Sequence, residues 1–211
     1  MAEDLLLHAA ARGDLEEVSM LLERGRARAD SALPPSKTTP LHAACRTGGL
    51  DMAELLIRWK ADLNAKEATG CGGRTALHIA TQRERGGTSL ASVLLRAGAS
   101  PIERDARGQT PLHTAAQVGQ ADITRLLLAQ GADPNLRDWA GFNPAWWAKE
   151  YRHQEVLEVY AAEQVAPSGI TARMAMEHAG PRARSVLMGA KGARKKKGAR
   201  SARSASASAR K

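Results

Sequence analysis

Histidines stand at positions 8, 42, 78 and 113, and Cys45 follows His42 by three residues, a spacing that places both on one helical face. Imidazole nitrogen and thiolate sulfur are zinc ligands, but zinc needs three or four donors converging on one point. These histidines instead recur one per repeat, each in the same local setting, so they read as structural. Cys45 and Cys71 read as small packing or loop residues. The run Gly70-Cys71-Gly72-Gly73 is the one glycine-rich stretch that invites a phosphate-cradle reading. No strand precedes it, and it reads as a flexible loop. There is no nucleophile elbow, no pair of carboxylates in a common pocket and no CxxC. The residue types with chemical potential therefore point away from catalysis, and no metal or cofactor is expected.

The histidines belong to a recurring tetrapeptide. It is Leu6-Leu7-His8-Ala9, then Thr39-Pro40-Leu41-His42, Thr75-Ala76-Leu77-His78 and Thr110-Pro111-Leu112-His113, with Asn143-Pro144-Ala145-Trp146 as a degenerate fifth. The steps are 34, 36, 35 and 33 residues. A period of this length marks a solenoid, in which each unit buries its apolar face only against its neighbours. Each unit reads as helix, tight turn, helix, loop. In the fourth, Thr110 is placed to cap free helix N–H groups, and Pro111 takes the first helical position, where no donor is missed. Leu112, Ala115 and Ala116 form an apolar face small enough for close packing, and Gly119 ends the helix. Ile123, Leu126, Leu127 and Leu128 give the second helix its apolar stripe. Gly131 supplies a left-handed cap, followed by turn chemistry at Asp133-Pro134-Asn135.

This pattern resembles the ankyrin repeat family, with its Thr-Pro-Leu-His-x-Ala and later Leu-Leu-x-x-Gly-Ala-Asp, over about residues 4–165. The resemblance implies an all-α solenoid of about five helix-turn-helix repeats. Hairpin-like loops would project from one edge, inner helices would line a concave face, and each imidazole would bridge neighbouring loops by hydrogen bonds. The units are 1–37 (N-capping, with a long loop), 38–74, 75–109, 110–142 and 143–166 (C-capping), with a basic tail at 167–211. Lys60 stands where the family uses glycine, at a cost of up to roughly 1 kcal/mol if left-handed. The stretch Thr75 to Leu95 is longer than Thr110 to Leu128 (20 against 18), with the extra length at Gly86-Gly87. The finger from Asn64 to Thr75 exceeds that from Asn135 to Asn143 (11 against 8). The loop Arg26 to Lys37, with Pro34-Pro35, replaces an ordinary first finger. In the last unit Trp146 replaces histidine and Arg152 replaces glycine, while Glu150, His153, Glu155 and Glu158 add polarity.

Charge divides the chain at the same boundary. Of 31 Lys/Arg and 22 Asp/Glu, residues 167–211 hold 12 bases and one acid, Glu177, a net of +11. Residues 1–166 hold 19 bases and 21 acids and sit near −2. Ile170 to Glu177 reads as a short helix that Gly180-Pro181 ends, and disorder is expected from Gly189 onward. Two cysteines make no disulfide framework, Leu5 to Leu7 is too short for a signal-peptide core, and no apolar run approaches the ~18 residues of a membrane span. A soluble monomer, cytoplasmic or nuclear, is expected.

Partner contacts are expected at positions the family leaves variable: Arg46, Lys66, Arg74, Arg83, Arg104, Arg107, Arg137, Trp139, Phe142 and Tyr151, with Thr47, Gln82, Gln109, Gln117, Val118 and Glu150 among them. Seven of these are basic and three aromatic, in a region slightly acidic overall. Arginine and large aromatics anchor interfaces, and arginine offers a fork for carboxylates. The pattern predicts a basic, aromatic-edged groove for an acidic protein partner or peptide. In the tail, Lys191, Arg194, Lys195, Lys196, Lys197 and Arg200 suit nuclear import or a polyanion, microtubule or nucleic acid. A repeat region near −2 is a poor sink for that charge, so an external polyanion is favoured. Ser185, Ser201 and Ser204 follow basic residues and are candidate phosphorylation sites. The leading expectation is a non-enzymatic adaptor. A structural accessory protein of a cytoskeletal or axonemal assembly and a nuclear factor with the tail as import signal stand beside it. A ubiquitin-ligase substrate receptor would want a helical box after the repeats, and the tail offers no convincing one.

Overall fold

The computed structural model describes residues 2–163 and 165. The expectations for the tail, including the short helix and the disorder, lie outside the described residues. Among the described residues ten α-helices follow one another in five pairs: α1 (Ala2–Arg12) and α2 (Leu15–Glu23), α3 (Pro40–Thr47) and α4 (Leu50–Arg58), α5 (Ala76–Thr81) and α6 (Gly87–Arg96), α7 (Pro111–Val118) and α8 (Ala121–Ala129), α9 (Pro144–Tyr151) and α10 (Gln154–Ala162). A 3-10 turn, Thr69–Cys71, interrupts the second loop. Contacts run within each pair and along two rows, the odd-numbered helices stacking each on the next and the even-numbered ones likewise. The all-α solenoid is what the period demanded.

Short helices of six to eleven residues are marginal in isolation, so caps and packing must hold them. Thr39, Thr75 and Thr110 keep extended backbone, and each hydroxyl takes the N–H of the histidine three residues on, while that imidazole returns a bond to the threonine N–H. Pro40, Pro111 and Pro144 occupy the first helical turn, where the missing donor costs nothing. Along the odd row, Leu6, Leu41, Leu77 and Leu112 are fully buried beside Ala9, Ala44, Ala80, Ala115 and Ala148, whose small side chains let the helices approach closely. Each such leucine contributes about 2 kcal/mol by burial.

The irregularities have local causes. Lys60 and Arg152 hold left-handed backbone, φ 61° and 62°, where glycine would be unstrained. The extra residues before α6 bring Gly87 against the Ala80 carbonyl, and a Cβ there would lie 2.6 Å from that oxygen. The long first loop departs from its expected replacement of a finger: Leu33 and Thr38 pair as an antiparallel bridge, so the turn over Pro34-Pro35 still makes one. No helix among the described residues is long and apolar enough to cross a membrane.

Candidate functional site: the finger ladder and its cleft

The third and fourth fingers share an Asp-x-x-Gly turn. Asp105 Oδ1 accepts from the N–H groups of Arg107 (2.7 Å) and Gln109 (2.9 Å), and Asp138 Oδ1 accepts from those of Ala140 and Phe142, both at 3.0 Å. Burial pushes the Asp105 carboxyl above the usual range, against the pull of those same N–H groups. The second finger, which is longer, closes through Glu67 N–H to the Arg74 carbonyl, 3.0 Å, as Asp105 N–H to Gln109 and Asp138 N–H to Phe142 close the others. Its longer acid reaches sideways, and the buried Glu67 carboxylate lies between Arg46 and Arg74.

Fingers then bond to one another. Ala68 N–H donates to Ser36, Ala106 to Gly72 and Trp139 to Arg107, at 2.6, 2.9 and 3.0 Å. The histidines tie this ladder to the helices. Nε2 of His42, His78 and His113 meets the carbonyls of Arg74, Gln109 and Phe142 at 3.1, 3.0 and 3.1 Å. Their Nδ1 atoms accept from the threonine N–H groups, so each ring is neutral with its proton on Nε2. Burial lowers all three, His78 and His113 to about 4. His8 departs from this expectation. Leu5 stands where the capping threonine would be and α1 has already begun, so His8 is exposed and, among the described residues, bonds the Asp4 carbonyl. Cys45 is buried, which pushes its thiol up to about 12, and Cys71 is exposed in the second finger.

Between the second and third fingers and the ends of α5 and α7 lies a cleft of about 410 Å³. Arg74, Gln82, Arg107, Gln109 and Gln117 come together there, joined by Thr69, Cys71, Asp105 and Thr114. Arg74 is oriented by Gln82, 2.7 Å from Nη1 to Oε1, and by the Cys71 carbonyl. Gln109 is buried, its amide bonded to Asp138. Beside the cleft, Arg104 donates to the carbonyls of Gly108 (2.8 Å) and Arg137 (2.7 Å) and lies 5.2 Å from the Trp139 ring centre. The indole covers Gly108, where a Cβ would come within 2.5 Å of the ring, yet Trp139 remains 59 % exposed.

The other expected contacts are distributed differently. Lys66 is paired with Glu103 at 2.7 Å, and Arg83 crosses Gly48 to the Arg46 carbonyl. Arg137 and Arg107 are exposed, and Tyr151 lies at the end of α9, stacked on Trp147 and His153. Part of the expected positive charge is thus answered internally, Arg46 and Arg74 by Glu67 and Lys66 by Glu103. Phe142 must be corrected: it is 2 % exposed, stacked on Trp146 at 3.8 Å and edge-on to Trp147, because the last finger residue turns under the array to meet the degenerate repeat. The acids Glu67, Asp105 and Asp138 were missed as organisers, although the twice-repeated Asp-x-x-Gly was visible in the sequence.

The family model for ankyrin repeats in three copies matches residues 2–67 and 77–167. The chain belongs to the ankyrin repeat family. Similar curated proteins include the neurogenic locus notch homolog protein 1 of Homo sapiens, 38 % identical over 109 residues, which is 52 % of this chain and 4 % of that protein. The ADP-ribosylation factor GTPase-activating protein AGD2 of Arabidopsis thaliana is 38 % identical over 79 residues, 37 % of this chain and 10 % of its own. The E3 ubiquitin-protein ligase KEG of the same plant is 28 % identical over 128 residues, 57 % and 8 % respectively. The chain thus spans a tenth or less of the length of these relatives. Ankyrin repeats form a protein-interaction module, generally without catalysis, and among the described residues no cluster of three or more His, Cys, Asp or Glu could hold a metal ion.

Proposed function

We propose that this ankyrin array is an adaptor whose finger-side cleft, between Arg74, Arg107 and Gln117 and flanked by Trp139, receives an acidic segment or acidic face of a protein partner. The observation that carries the reading is the convergence of arginine and amide side chains in one cleft beside a large exposed indole. Amides and guanidinium groups present donors to carboxylates, and an exposed tryptophan backed by a guanidinium is the type of residue that anchors interfaces. Two of the three relatives carry names of unrelated activities, GTPase activation and ubiquitin ligation, and each relative shares with this chain only a small fraction of its length, which supports binding as the shared property.

The basic run Lys191, Arg194, Lys195, Lys196, Lys197 and Arg200 is proposed as a second attachment, to an acidic polymer or an import receptor, by charge alone. In this reading the protein is cytoplasmic, nuclear or held on a cytoskeletal polymer according to what the tail meets.

The test is affinity capture with Arg107→Glu/Arg137→Glu and with Trp139→Ala. These side chains are exposed, so helix content and unfolding midpoint should stay at the parental values while capture of the main partner falls at least tenfold. Phe142→Ala is the control, costing about 3–5 kcal/mol of stability by emptying an aromatic cluster. Capture unchanged in both surface variants would sink the cleft as the binding surface.

A further inference from the structure

A second surface lies on the even-numbered row. Between α2 and α4 runs a groove of about 380 Å³ with Leu15 and Leu55 along it and Glu16, Asp51 and Glu54 at its sides, against one base, Arg58. Leu15 is 37 % exposed. The three carboxylates are exposed and, among the described residues, none is within 4 Å of a cation, whereas Glu17 and Asp122 are each held by a nearby arginine. The near balance of charge over residues 1–166 therefore hides a segregation, with unpaired acid on this face and arginine at the fingers.

The chain carries a complement to this groove. Residues 182–188 read Arg-Ala-Arg-Ser-Val-Leu-Met, two guanidinium groups followed by three apolar side chains. We propose that this segment occupies the α2/α4 groove of its own chain, with Arg182 and Arg184 among Glu16, Asp51 and Glu54, and with Val186, Leu187 and Met188 over Leu15 and Leu55. The span permits it. From α10 to the groove is three and a half helix spacings, about 30 Å at 8–10 Å each. The 17 steps from Val165 to Arg182 extend to about 55 Å and as flexible chain average about 23 Å. Tethering at that length supplies an effective concentration near millimolar, so a weak contact suffices. The docked segment leaves Lys191 and the run beyond it free on the same face, away from the finger cleft. Ser185 lies between the two halves of the segment, and a phosphate there would set up to ~2 negative charges beside three carboxylates and open the contact.

The test is zero-length carbodiimide coupling on the full chain at low micromolar concentration, read by peptide mass spectrometry on the monomer. Lys191, three residues beyond Met188, should join to Glu16, Asp51 or Glu54 in preference to the exposed acids of α8 and α10. These links should fall several-fold in Arg182→Glu/Arg184→Glu and in Ser185→Glu, whose changes lie beyond the repeats. Links spread over the acids of all repeats, links that persist in both variants, or links confined to a covalent dimer would overturn the proposal.

Discussion

The imidazoles of His42, His78 and His113 each turn Nε2 to a carbonyl and Nδ1 to a threonine N–H. A second proton on the ring would have to sit at Nδ1, facing a donor. Burial and this geometry act together, and the rings of His78 and His113 resist protonation down to about 4, against 6.5 unfolded. Because the unfolded state binds the proton first, stability is fully present above pH 6.5 and is lost as pH falls from 6.5 through 4. Thermal midpoints measured between pH 7.5 and 4 should decline across that window, and His113→Gln should flatten the decline. A profile unchanged by that substitution would contradict the assignment. Single residues also explain the error at Phe142. Trp139 and Phe142 are both aromatic residues of one finger, and the packing of Trp146 and Trp147 tells which is core.

Among the elements, the helices were legible and their ends nearly so. Threonine, proline and histidine at fixed offsets are a local capping chemistry, satisfied within four residues of chain. The left-handed positions at Lys60 and Arg152 were legible for the same reason, since the repeat marks where glycine belongs. Lys60→Gly should therefore stabilise the protein by up to about 1 kcal/mol, read as a higher urea midpoint with unchanged slope. A lower midpoint would mean that the lysine side chain contributes more than its backbone costs. The fingers were less legible. Their turns are local, but the ladder that joins Gly72 to Ala106 and Arg107 to Trp139 spans more than thirty residues of chain, and the three-residue extension of the second finger shows its effect only where it walls the cleft.

For the molecule as a whole, the distribution of charge matters more than its sum. At the fingers Arg46 and Arg74 are held by Glu67, Lys66 by Glu103 and Arg104 by backbone carbonyls, while the tail holds a net +11 in 45 residues. Binding of the full chain to a polyanion should therefore depend on the tail. Removing residues 167–211 should abolish cosedimentation with microtubules or DNA, and raising salt from about 50 to 200 mM should weaken the full chain steeply. Retention by a chain ending at Ala166 would move the polyanion site onto the repeats.

By itself the sequence determined the repeat, the helix pairs, the caps and the charged tail, because each rests on period, composition or interactions within a few residues. Only the tertiary structure decided which arginines are answered by buried acids, that Phe142 belongs to the core while Trp139 stays open, and that a cleft opens at the fingers and an acidic groove between α2 and α4. Those features arise where one repeat meets the next, and contacts between residues some thirty positions apart leave no local signature in the chain.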